Sequence, residues 1–303
     1  MKIYDLIIIG AGPAGITAAV YAARKKIDFM VLSNDIGGQT TWSGDIENYT
    51  GFQFITGPEL TLKFEKHMES FSAPVNMPEE VRGIKKENNF IKITTNKNEY
   101  ISKTIIIASG KRSRMLNIPG EKEFKNRGVT YCATCDGPLF KDKNVAVIGG
   151  GNSALDATLQ LMKICPKVYV INIASGLTGD QIMIESVEKA MNVEIWNNSK
   201  MKEIAGEKFV KSITLEKEGK DYTLDVEGVF VEIGLIPNSD FDKITKHNEV
   251  GEIIVDCRNS TNIEGMFAAG DVSNVPEKQI IIACGEGSKA CLSAFRYLST
   301  HRF

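Results

Sequence analysis

Short apolar runs, each followed by a glycine-rich turn and a helical segment, occur twice along the chain. The first set predicts a buried strand, an Ala-rich helix and a second strand at residues 4–9, 16–24 and 29–32. The second set predicts the same three elements at residues 144–148, 155–163 and 168–171. Each set is a β-α-β unit, so the pattern predicts two nucleotide-binding folds in one chain.

The turn in each set carries the glycines that a dinucleotide site requires. The first turn contains Gly10, Gly12, Pro13, Ala14 and Gly15, and the second contains Gly149, Gly150, Gly151, Asn152, Ser153 and Ala154. In such turns the first glycine makes the bend, the second lets N–H groups approach a pyrophosphate, and the third glycine or alanine permits close packing. The two turns therefore predict two dinucleotide sites. The alternative is that a glycine-rich turn serves only the packing of helix and strand, and this alternative has more weight for the second turn than for the first.

Length and composition narrow the class of protein. A chain of 303 residues is long enough for two domains, because single cores stop growing near about 250 residues. A net charge of -2 creates no field that would gather nucleic acid or an anionic membrane. The longest apolar runs, such as residues 6–9, are far shorter than the roughly 18 residues of a membrane span. Glycines interrupt the first run too early for an export signal, so the cytoplasm is the expected compartment.

Cys132 and Cys135 are the one close pair among six cysteines. Their C-x-x-C spacing suits reversible disulfide formation and favours a thiolate near neutral pH. Asp136 follows the pair directly, where it could cap a helix or exchange a proton with a leaving thiolate. The three residues therefore predict a redox centre.

A zinc half-site is the competing interpretation of the pair. Zinc needs about four ligands, yet the sequence has no second C-x-x-C, and His67, His247 and His301 show no ligand spacing. No metal is therefore expected. The remaining cysteines are expected to be buried and inert, namely Cys165, Cys257, Cys284 and Cys291.

Together with the two glycine turns, five segments make the chain resemble the low-molecular-weight thioredoxin reductase family, which includes the flavoprotein subunit of bacterial alkyl hydroperoxide reductase. The segments are Gly37-Gly38-Gln39, Ile46-Glu47-Asn48-Tyr49, Ala108-Ser109-Gly110, Cys132–Gly137 and Met266–Val272. The resemblance covers nearly the whole chain. It implies an α/β fold with two Rossmann-like, three-layer nucleotide-binding domains of the FAD/NAD(P)-binding type, the second inserted in the first. The expected ranges are 1–113 and 244–303 for the FAD-binding domain, and 114–243 for the pyridine-nucleotide-type domain that carries the dithiol.

The same resemblance assigns roles to residues. It implies that FAD binds the first glycine turn and that Asp271 bonds the ribityl chain. Its further FAD contacts would be Gly38, Gln39, Asn48, Ala108, Ser109, Gly110, Gly270, Lys278, Gln279 and Ile280. Cys135 would face the flavin, Cys132 would attack the disulfide of a protein substrate, and Asp136 would manage the proton. The chain would cross twice between the two domains, and one domain would rotate about these two linkers. The rotation would alternately place the dithiol on the flavin and expose it to the protein substrate. The protein would be a homodimer.

The chain departs from the family pattern at the site of the electron donor. Members that use NADPH carry a His-Arg-Arg cluster after the second strand of the nucleotide domain, because the 2′-phosphate needs cationic partners. Here that place reads Asn172-Ile173-Ala174-Ser175-Gly176. NADH-dependent relatives would carry an acidic residue there, whereas Asn172 could bond a ribose only as a neutral group. NADPH is therefore disfavoured, NADH is expected at the second glycine turn, and reduced ferredoxin is the rival because one branch of the family uses it.

The sequence thus predicts an FAD-dependent disulfide oxidoreductase. Its substrate is expected to be a separate thioredoxin- or glutaredoxin-like protein, because the sequence begins directly at the flavin domain without a thioredoxin-like N-terminal extension. The alternative class is a non-turnover sensor, in which flavin and dithiol report redox state to a partner. Slow reduction by every donor, together with a complex whose formation depends on redox state, would identify that alternative.

Overall fold

The computed structural model describes residues 2–43 and 45–303, without the side chains of Trp42, Asp45 and Cys135. The chain forms two compact units, which are Met1–Arg112 with Ile236–Phe303, and Ser113–Leu235. The second unit is inserted in the first, in agreement with the predicted fold class.

The second crossing between the units differs from its predicted place, because the first unit resumes at Ile236 and not at residue 244. Hydrogen bonds explain the difference. The Ser109 hydroxyl donates to the Asn238 carbonyl oxygen at 2.6 Å, and Arg112 lies 2.6 Å from the Asp240 carboxylate. These bonds join residues 236–243 to the first unit.

The elements of the chain before its insertion are β1 (Ile3–Ile9), α1 (Pro13–Arg24), β2 (Phe29–Leu32), β3 (Asp45–Ile46), β4 (Ile55–Thr56), α2 (Gly57–Glu69), β5 (Val75–Asn76), β6 (Val81–Glu87), β7 (Phe90–Thr95), β8 (Glu99–Ile107) and β9 (Lys111–Ser113). The inserted unit contains β10 (Val129–Thr130), α3 (Ala133–Asp136), β11 (Asn144–Ile148), α4 (Asn152–Leu161), β12 (Lys167–Ile171), α5 (Gln181–Glu188), β13 (Val193–Trp196), β14 (Ser199–Gly206), β15 (Val210–Lys217), β16 (Lys220–Asp225) and β17 (Gly228–Val231). The chain then forms β18 (Leu235–Pro237), β19 (Met266–Ala268) and α6 (Ile280–Thr300). Within residues 2–43 and 45–303, no helix has the length and apolar character needed to cross a membrane.

A seven-stranded mixed sheet forms the centre of the first unit. Its strands run in the order β5-β2-β1-β8-β7-β6, and β19 pairs with β8. Residues 6–9 of β1 and 105–107 of β8 are buried. Parallel strands that are covered on both faces consist of unbroken apolar runs. The burial of β1 and β8 therefore explains the apolar runs in their sequences. A Cβ on Gly287 would lie 2.0 Å from the Ala14 carbonyl oxygen, so a glycine is required where α6 crosses α1.

Both glycine turns pass directly into a helix. Helix α1 begins at Pro13 and α4 at Asn152, whereas the pattern predicts residues 16 and 155. The turn residues themselves form the first helical turn. Proline suits this place because the first N–H groups of a helix have no partner inside the helix. The predicted strands β1, β2, β11 and β12 agree with the structure to within a residue.

The second unit has a parallel sheet with the order β10-β17-β11-β12-β13 and a separate antiparallel sheet, β14-β15-β16. Strand β11 pairs with β12 on one side and with β17 on the other, so the strand order reverses there. Ligands of open α/β sheets bind at the carboxyl ends of strands at such a reversal. Gly149 follows β11 at this edge, and Glu232 follows β17.

Candidate functional site

The first glycine turn is closed to side chains at two positions and open at a third. Gly10 has φ +103°, and a Cβ there would lie 2.4 Å from the Ala108 carbonyl oxygen. A Cβ on Gly15 would lie 1.9 Å from the Gly10 carbonyl oxygen. Gly12 has no atom within 4 Å of its Cβ position, and it precedes α1 without a side-chain cap. The turn therefore leaves space beside the first N–H groups of a helix, which is where a phosphate binds.

Two distant segments approach this turn. A Cβ on Gly38 would lie 3.6 Å from Gly12 Cα, and a Cβ on Gly270 would lie 3.0 Å from the Ala14 Cβ. Gly270 has φ +75°, so glycine is favoured at this close approach. Asp271 directly follows Gly270, so the structure brings this residue close to the glycine turn.

Three predicted amide side chains lie in the first unit, and two of them are in contact. The Asn48 amide donates to Gln279 Oε1 at 3.0 Å, although the two residues are far apart in sequence. The Gln39 amide donates to the Lys111 carbonyl oxygen at 3.1 Å. These hydrogen bonds fix the orientation of the Asn48 and Gln39 amides.

Three further residues that are predicted to contact FAD make contacts within the protein, namely Ser109, Gly110 and Ile280. The Ser109 hydroxyl is engaged by the Asn238 carbonyl oxygen, and the Gly110 carbonyl accepts from the Asn238 N–H at 2.9 Å. Ile280, the first residue of α6, packs on a small apolar cluster around Leu60. The Ser109 carbonyl oxygen also accepts from the Asn238 side-chain amide at 2.9 Å, so both of these oxygens of Ser109 are occupied within the protein.

A pair of lysines joined by one carboxylate lies close to Asp271. Lys111 and Lys278 contact the same oxygen of Glu252 at 2.9 and 3.0 Å. Burial raises the pKa of Asp271, and the positive charges of Lys278 and Lys111 oppose the rise. Sequence reasoning found Lys278 but missed Lys111 and Glu252, because only the fold brings these three residues together.

These observations fit FAD. The open space at Gly12 suits a pyrophosphate, and the partly buried carboxylate of Asp271 suits a chain of hydroxyl donors. The amides of Gln39, Asn48 and Gln279 offer both donors and acceptors to a heterocycle.

The ionised carboxylate of Glu252 should stabilise the first unit in a pH-dependent way. Burial opposes its charged form, but hydrogen bonds from Lys111 and Lys278 outweigh burial and lower the pKa of Glu252 to about 2 from the usual 4.5. This stabilisation is fully present above about pH 4.5 and is lost as the pH falls towards 2. We expect Glu252→Gln to lower the free energy of unfolding by on the order of 2 kcal/mol at neutral pH and by less in acid.

Urea unfolding at several pH values measures this difference. Glu249→Gln is the matched control, because Glu249 is exposed in the same segment. A difference between the Glu252 variant and the parent that does not change with pH would contradict the assignment.

The dithiol segment begins at Cys132, which is disulfide-bonded and directly precedes α3. The Asp136 N–H donates to the Cys132 carbonyl oxygen at 3.1 Å, and the Cys132 N–H donates to the Thr130 hydroxyl oxygen at 3.2 Å. The Thr130 hydroxyl in turn donates to the Asp136 carboxylate. The side chain of Cys135 lies outside the described part of the chain. Thr130 thus links the predicted acid to the backbone of the predicted nucleophile.

The structure corrects the helix-capping interpretation of Asp136. The residue precedes the one-turn 3₁₀ helix Gly137–Phe140, but its side chain makes no capping hydrogen bond. Its carboxylate is oriented towards Thr130 instead. This geometry is compatible with the other interpretation, in which Asp136 exchanges a proton with a leaving thiolate.

The cysteines outside the pair are free, and one of them differs from the prediction. Cys165 and Cys291 are buried and Cys284 is half-buried, but Cys257 is exposed. Cys257 lies in a turn closed by a hydrogen bond from the Asn259 N–H to the Asp256 carbonyl oxygen, so no core surrounds it. Among the residues that the structure describes, no group of three or more His, Cys, Asp or Glu side chains could hold a metal ion.

The second glycine turn repeats the geometry of the first. Gly149 has φ +138°, and a Cβ there would lie 2.2 Å from the Glu232 carbonyl oxygen and 3.1 Å from the Ala154 Cβ. Gly151 is open, because the nearest atom to its Cβ position is the Thr178 hydroxyl oxygen at 3.9 Å. The next residues, Asn152 and Ser153, are exposed in the first turn of α4. This turn also offers space beside a helix N-terminus.

Asn172 makes structural hydrogen bonds in the loop that follows β12. It is buried, and its amide donates to the Gly176 carbonyl oxygen at 2.8 Å and to Asn197 Oδ1 at 3.0 Å. Its own Oδ1 accepts the Ala174 N–H at 3.2 Å. Both amide hydrogens therefore hold the loop after β12, which leaves Oδ1 as the side-chain atom of Asn172 that could contact a ribose.

The sequence matches the profile of a known family, described as pyridine nucleotide-disulphide oxidoreductase, over residues 4–287. It is 41% identical to alkyl hydroperoxide reductase F of Staphylococcus aureus (strain MSSA476) and 40% identical to NADH dehydrogenase of Bacillus subtilis (strain 168). Both alignments cover 97% of this chain but only 59% and 58% of those proteins, so the chain spans less than two thirds of their length. Its fold is similar to thioredoxin reductase of Lactococcus lactis, with a TM-score of 0.89 and 36% identity over 98% of this chain and 100% of that one.

Proposed function

Because the chain belongs to the pyridine nucleotide-disulphide oxidoreductase family, we propose that it is a flavoprotein disulfide reductase that uses FAD and the Cys132–Cys135 dithiol to reduce a thioredoxin- or glutaredoxin-like protein. One observation carries this proposal. A C-x-x-C segment with an adjacent carboxylate lies in the inserted unit, and the other unit has an open glycine turn beside a partly buried carboxylate. Flavin-to-disulfide electron transfer needs both parts.

The first unit supplies the residues that would hold FAD. The helix N-terminus behind Gly12 would bind the pyrophosphate, and Asp271 would accept hydrogen bonds from the ribityl hydroxyls. Gln39, Asn48 and Gln279 would bond the ring system. Bound FAD would supply two-electron chemistry between a nucleotide and a disulfide.

The dithiol would act by thiol–disulfide exchange. The Cys132 thiolate attacks one sulfur of the partner disulfide, and the other partner sulfur leaves as a thiolate. Asp136 would deliver the proton that this leaving thiolate needs. Cys135 then displaces the partner's remaining sulfur, and the Cys132–Cys135 disulfide forms again. Two electrons thus pass from the dithiol to the partner, and both sulfur bonds are accounted for.

We propose NADH as the donor, bound at the second glycine turn. The open position at Gly151 gives a pyrophosphate space beside α4. Residues 172–176 contain no cationic side chain for a 2′-phosphate. The similarity to a protein named NADH dehydrogenase also supports this donor. Reduced ferredoxin remains the alternative electron donor. Both amide hydrogens of Asn172 are bonded within the protein, so this residue offers a ribose no hydrogen-bond donor.

Anaerobic reduction of the purified holoprotein tests the donor. We expect NADH to bleach the flavin absorbance at least about tenfold faster than NADPH at equal concentration. Bleaching by reduced ferredoxin alone would overturn the proposal, as would equal rates with NADH and NADPH. Slow bleaching by all three would favour the sensor alternative.

A variant locates the nucleotide site. Gly151→Ala places a methyl group where the pyrophosphate would approach, and the nearest protein atom at 3.9 Å leaves room for it in the fold. We expect the KM for NADH to rise about tenfold while the FAD spectrum stays unchanged. An unchanged KM would show that the donor does not bind at this turn.

The partner and its setting are also proposals. We propose that the substrate is a separate thioredoxin- or glutaredoxin-like chain, that the protein works as a homodimer, and that it acts in the cytoplasm. The test is turnover of NADH with purified thioredoxin and glutaredoxin in their disulfide forms. Absence of turnover with both, in a preparation whose flavin NADH reduces, would remove these substrate classes.

A further inference from the structure

Glu232 is an ionisable residue that the proposed chemistry does not yet use. It follows β17 at the edge of the second unit where the strand order reverses, beside the Gly149 turn. The backbone N–H of Ala133 donates to its carboxylate. Ala133 is the residue after Cys132, so this hydrogen bond places the carboxyl group of Glu232 next to the dithiol segment.

A second carboxylate connects the same region to α4. The Thr134 hydroxyl donates to Gln160 Oε1 at 3.1 Å, and the Gln160 amide donates to Asp156 Oδ2 at 2.9 Å. Asp156 also acts electrostatically on Glu232. Helix α3 is therefore held by one carboxyl group through its backbone and by the other through two polar side chains.

The surroundings of Glu232 favour its protonated form. Burial raises its pKa to about 8 from the usual 4.5, the negative charge of Asp156 adds to the rise, and the Ala133 N–H opposes it. The dithiol segment contributes Cys132, directly before α3, and Asp136, the last residue of α3, whose carboxylate accepts from Thr130. Strands β11 and β17 contribute no ionisable side chain. At neutral pH the oxidised protein thus holds a proton on Glu232, in direct contact with the residue after Cys132.

We propose that Glu232 is a positioning residue that adjusts the charge of the dithiol segment, because its carboxyl group binds a proton more tightly when Cys132 is a thiolate. The inference rests on the proposed function, in which the dithiol cycles between two redox states. Reduction breaks the S–S bond with two electrons, one proton makes one sulfur a thiol, and the other sulfur stays a thiolate. Above the pH at which Glu232 ionises in the oxidised protein, a second proton from solvent binds its carboxylate. The negative charge gained at sulfur is then offset at Glu232.

The test is the midpoint potential of the dithiol as a function of pH. The holoprotein is equilibrated in oxidised and reduced dithiothreitol, and alkylation of the peptide that contains Cys132 is quantified by mass spectrometry. One extra proton for two electrons changes the equilibrium constant tenfold per pH unit, which is about 30 mV. We expect the potential of the parent protein to fall about 30 mV per pH unit more steeply than that of Glu232→Gln above about pH 8. Below that pH the two slopes should agree.

Two further variants make the test independent of the folding of Glu232→Gln. Asp156→Asn removes the charge that raises the pKa of Glu232, so the steep region should begin at lower pH. Glu188→Gln makes the same change as the test variant at an exposed position on α5, and it should follow the parent protein.

Two results would overturn the role of Glu232. One is an equal slope of midpoint potential against pH in the parent and in Glu232→Gln. The other is a steep region that begins at the same pH in Asp156→Asn as in the parent. The measurement uses neither NADH nor a protein substrate. A protein that fails to reduce thioredoxin or glutaredoxin but shows the predicted slopes would therefore overturn the proposed function and keep this inference.

Discussion

Replacement of Cys132 by serine is expected to lower turnover with a protein disulfide by on the order of 1,000-fold or more, while FAD stays bound. A serine hydroxyl cannot replace a thiolate as the nucleophile in disulfide exchange. The residues that would hold FAD belong to the other unit, so the change leaves the flavin absorbance intact. Steady-state NADH oxidation with thioredoxin or glutaredoxin measures the first effect, and the flavin spectrum with its anaerobic bleaching by NADH measures the second.

The chain offers a matched control for this experiment. Cys257 is free and exposed, so Cys257→Ser makes the same chemical change outside the dithiol. It should retain the parent's turnover and spectrum. Retained turnover in Cys132→Ser would contradict the exchange mechanism, and loss of flavin from that variant would show that the dithiol segment also supports FAD binding.

The fold was largely predictable because its strands are short apolar runs bounded by glycine. The runs that became β1 and β11 are buried on both faces, and each leads into a turn that only glycine can form. The comparisons confirm the two Rossmann-like domains and the membership of the pyridine nucleotide-disulphide oxidoreductase family. The helix starts were wrong because Pro13 and Asn152 look like turn residues in sequence yet begin helices.

The site was less predictable because its electrostatics depend on contacts between distant segments. Lys111 contacts Glu252 although 141 positions separate them, and no local pattern marks either residue. Glu232 looks like an ordinary residue at the end of a strand until α3 is placed beside it. Asn172 was correctly located at the end of β12, but its hydrogen bonds to Gly176 and Asn197 could not be read from the chain. The roles of the FAD and dithiol residues stay predictions.

The glycine turn of the first unit allows ligand binding to be separated from folding. Gly12 has extended backbone, with φ -77° and ψ -174°, and no atom lies within 4 Å of its Cβ position. Gly12→Ala should therefore fold like the parent protein. Its new methyl group would occupy the space that a pyrophosphate needs, so we expect FAD affinity to fall on the order of 100-fold, or about 3 kcal/mol. Titration of the apoprotein with FAD measures the affinity, and urea unfolding of the apoprotein measures the stability.

Gly15→Ala should show the reverse, because its Cβ would lie 1.9 Å from the Gly10 carbonyl oxygen within the protein itself. The helix must move away from the strand, and we expect the apoprotein to lose about 3 kcal/mol of stability. The pair thus compares a methyl group that meets a ligand with one that meets the protein backbone. Undiminished FAD affinity in Gly12→Ala would show that the flavin nucleotide does not bind at this turn, and equal losses of apoprotein stability in both variants would show that Gly12 also serves the fold.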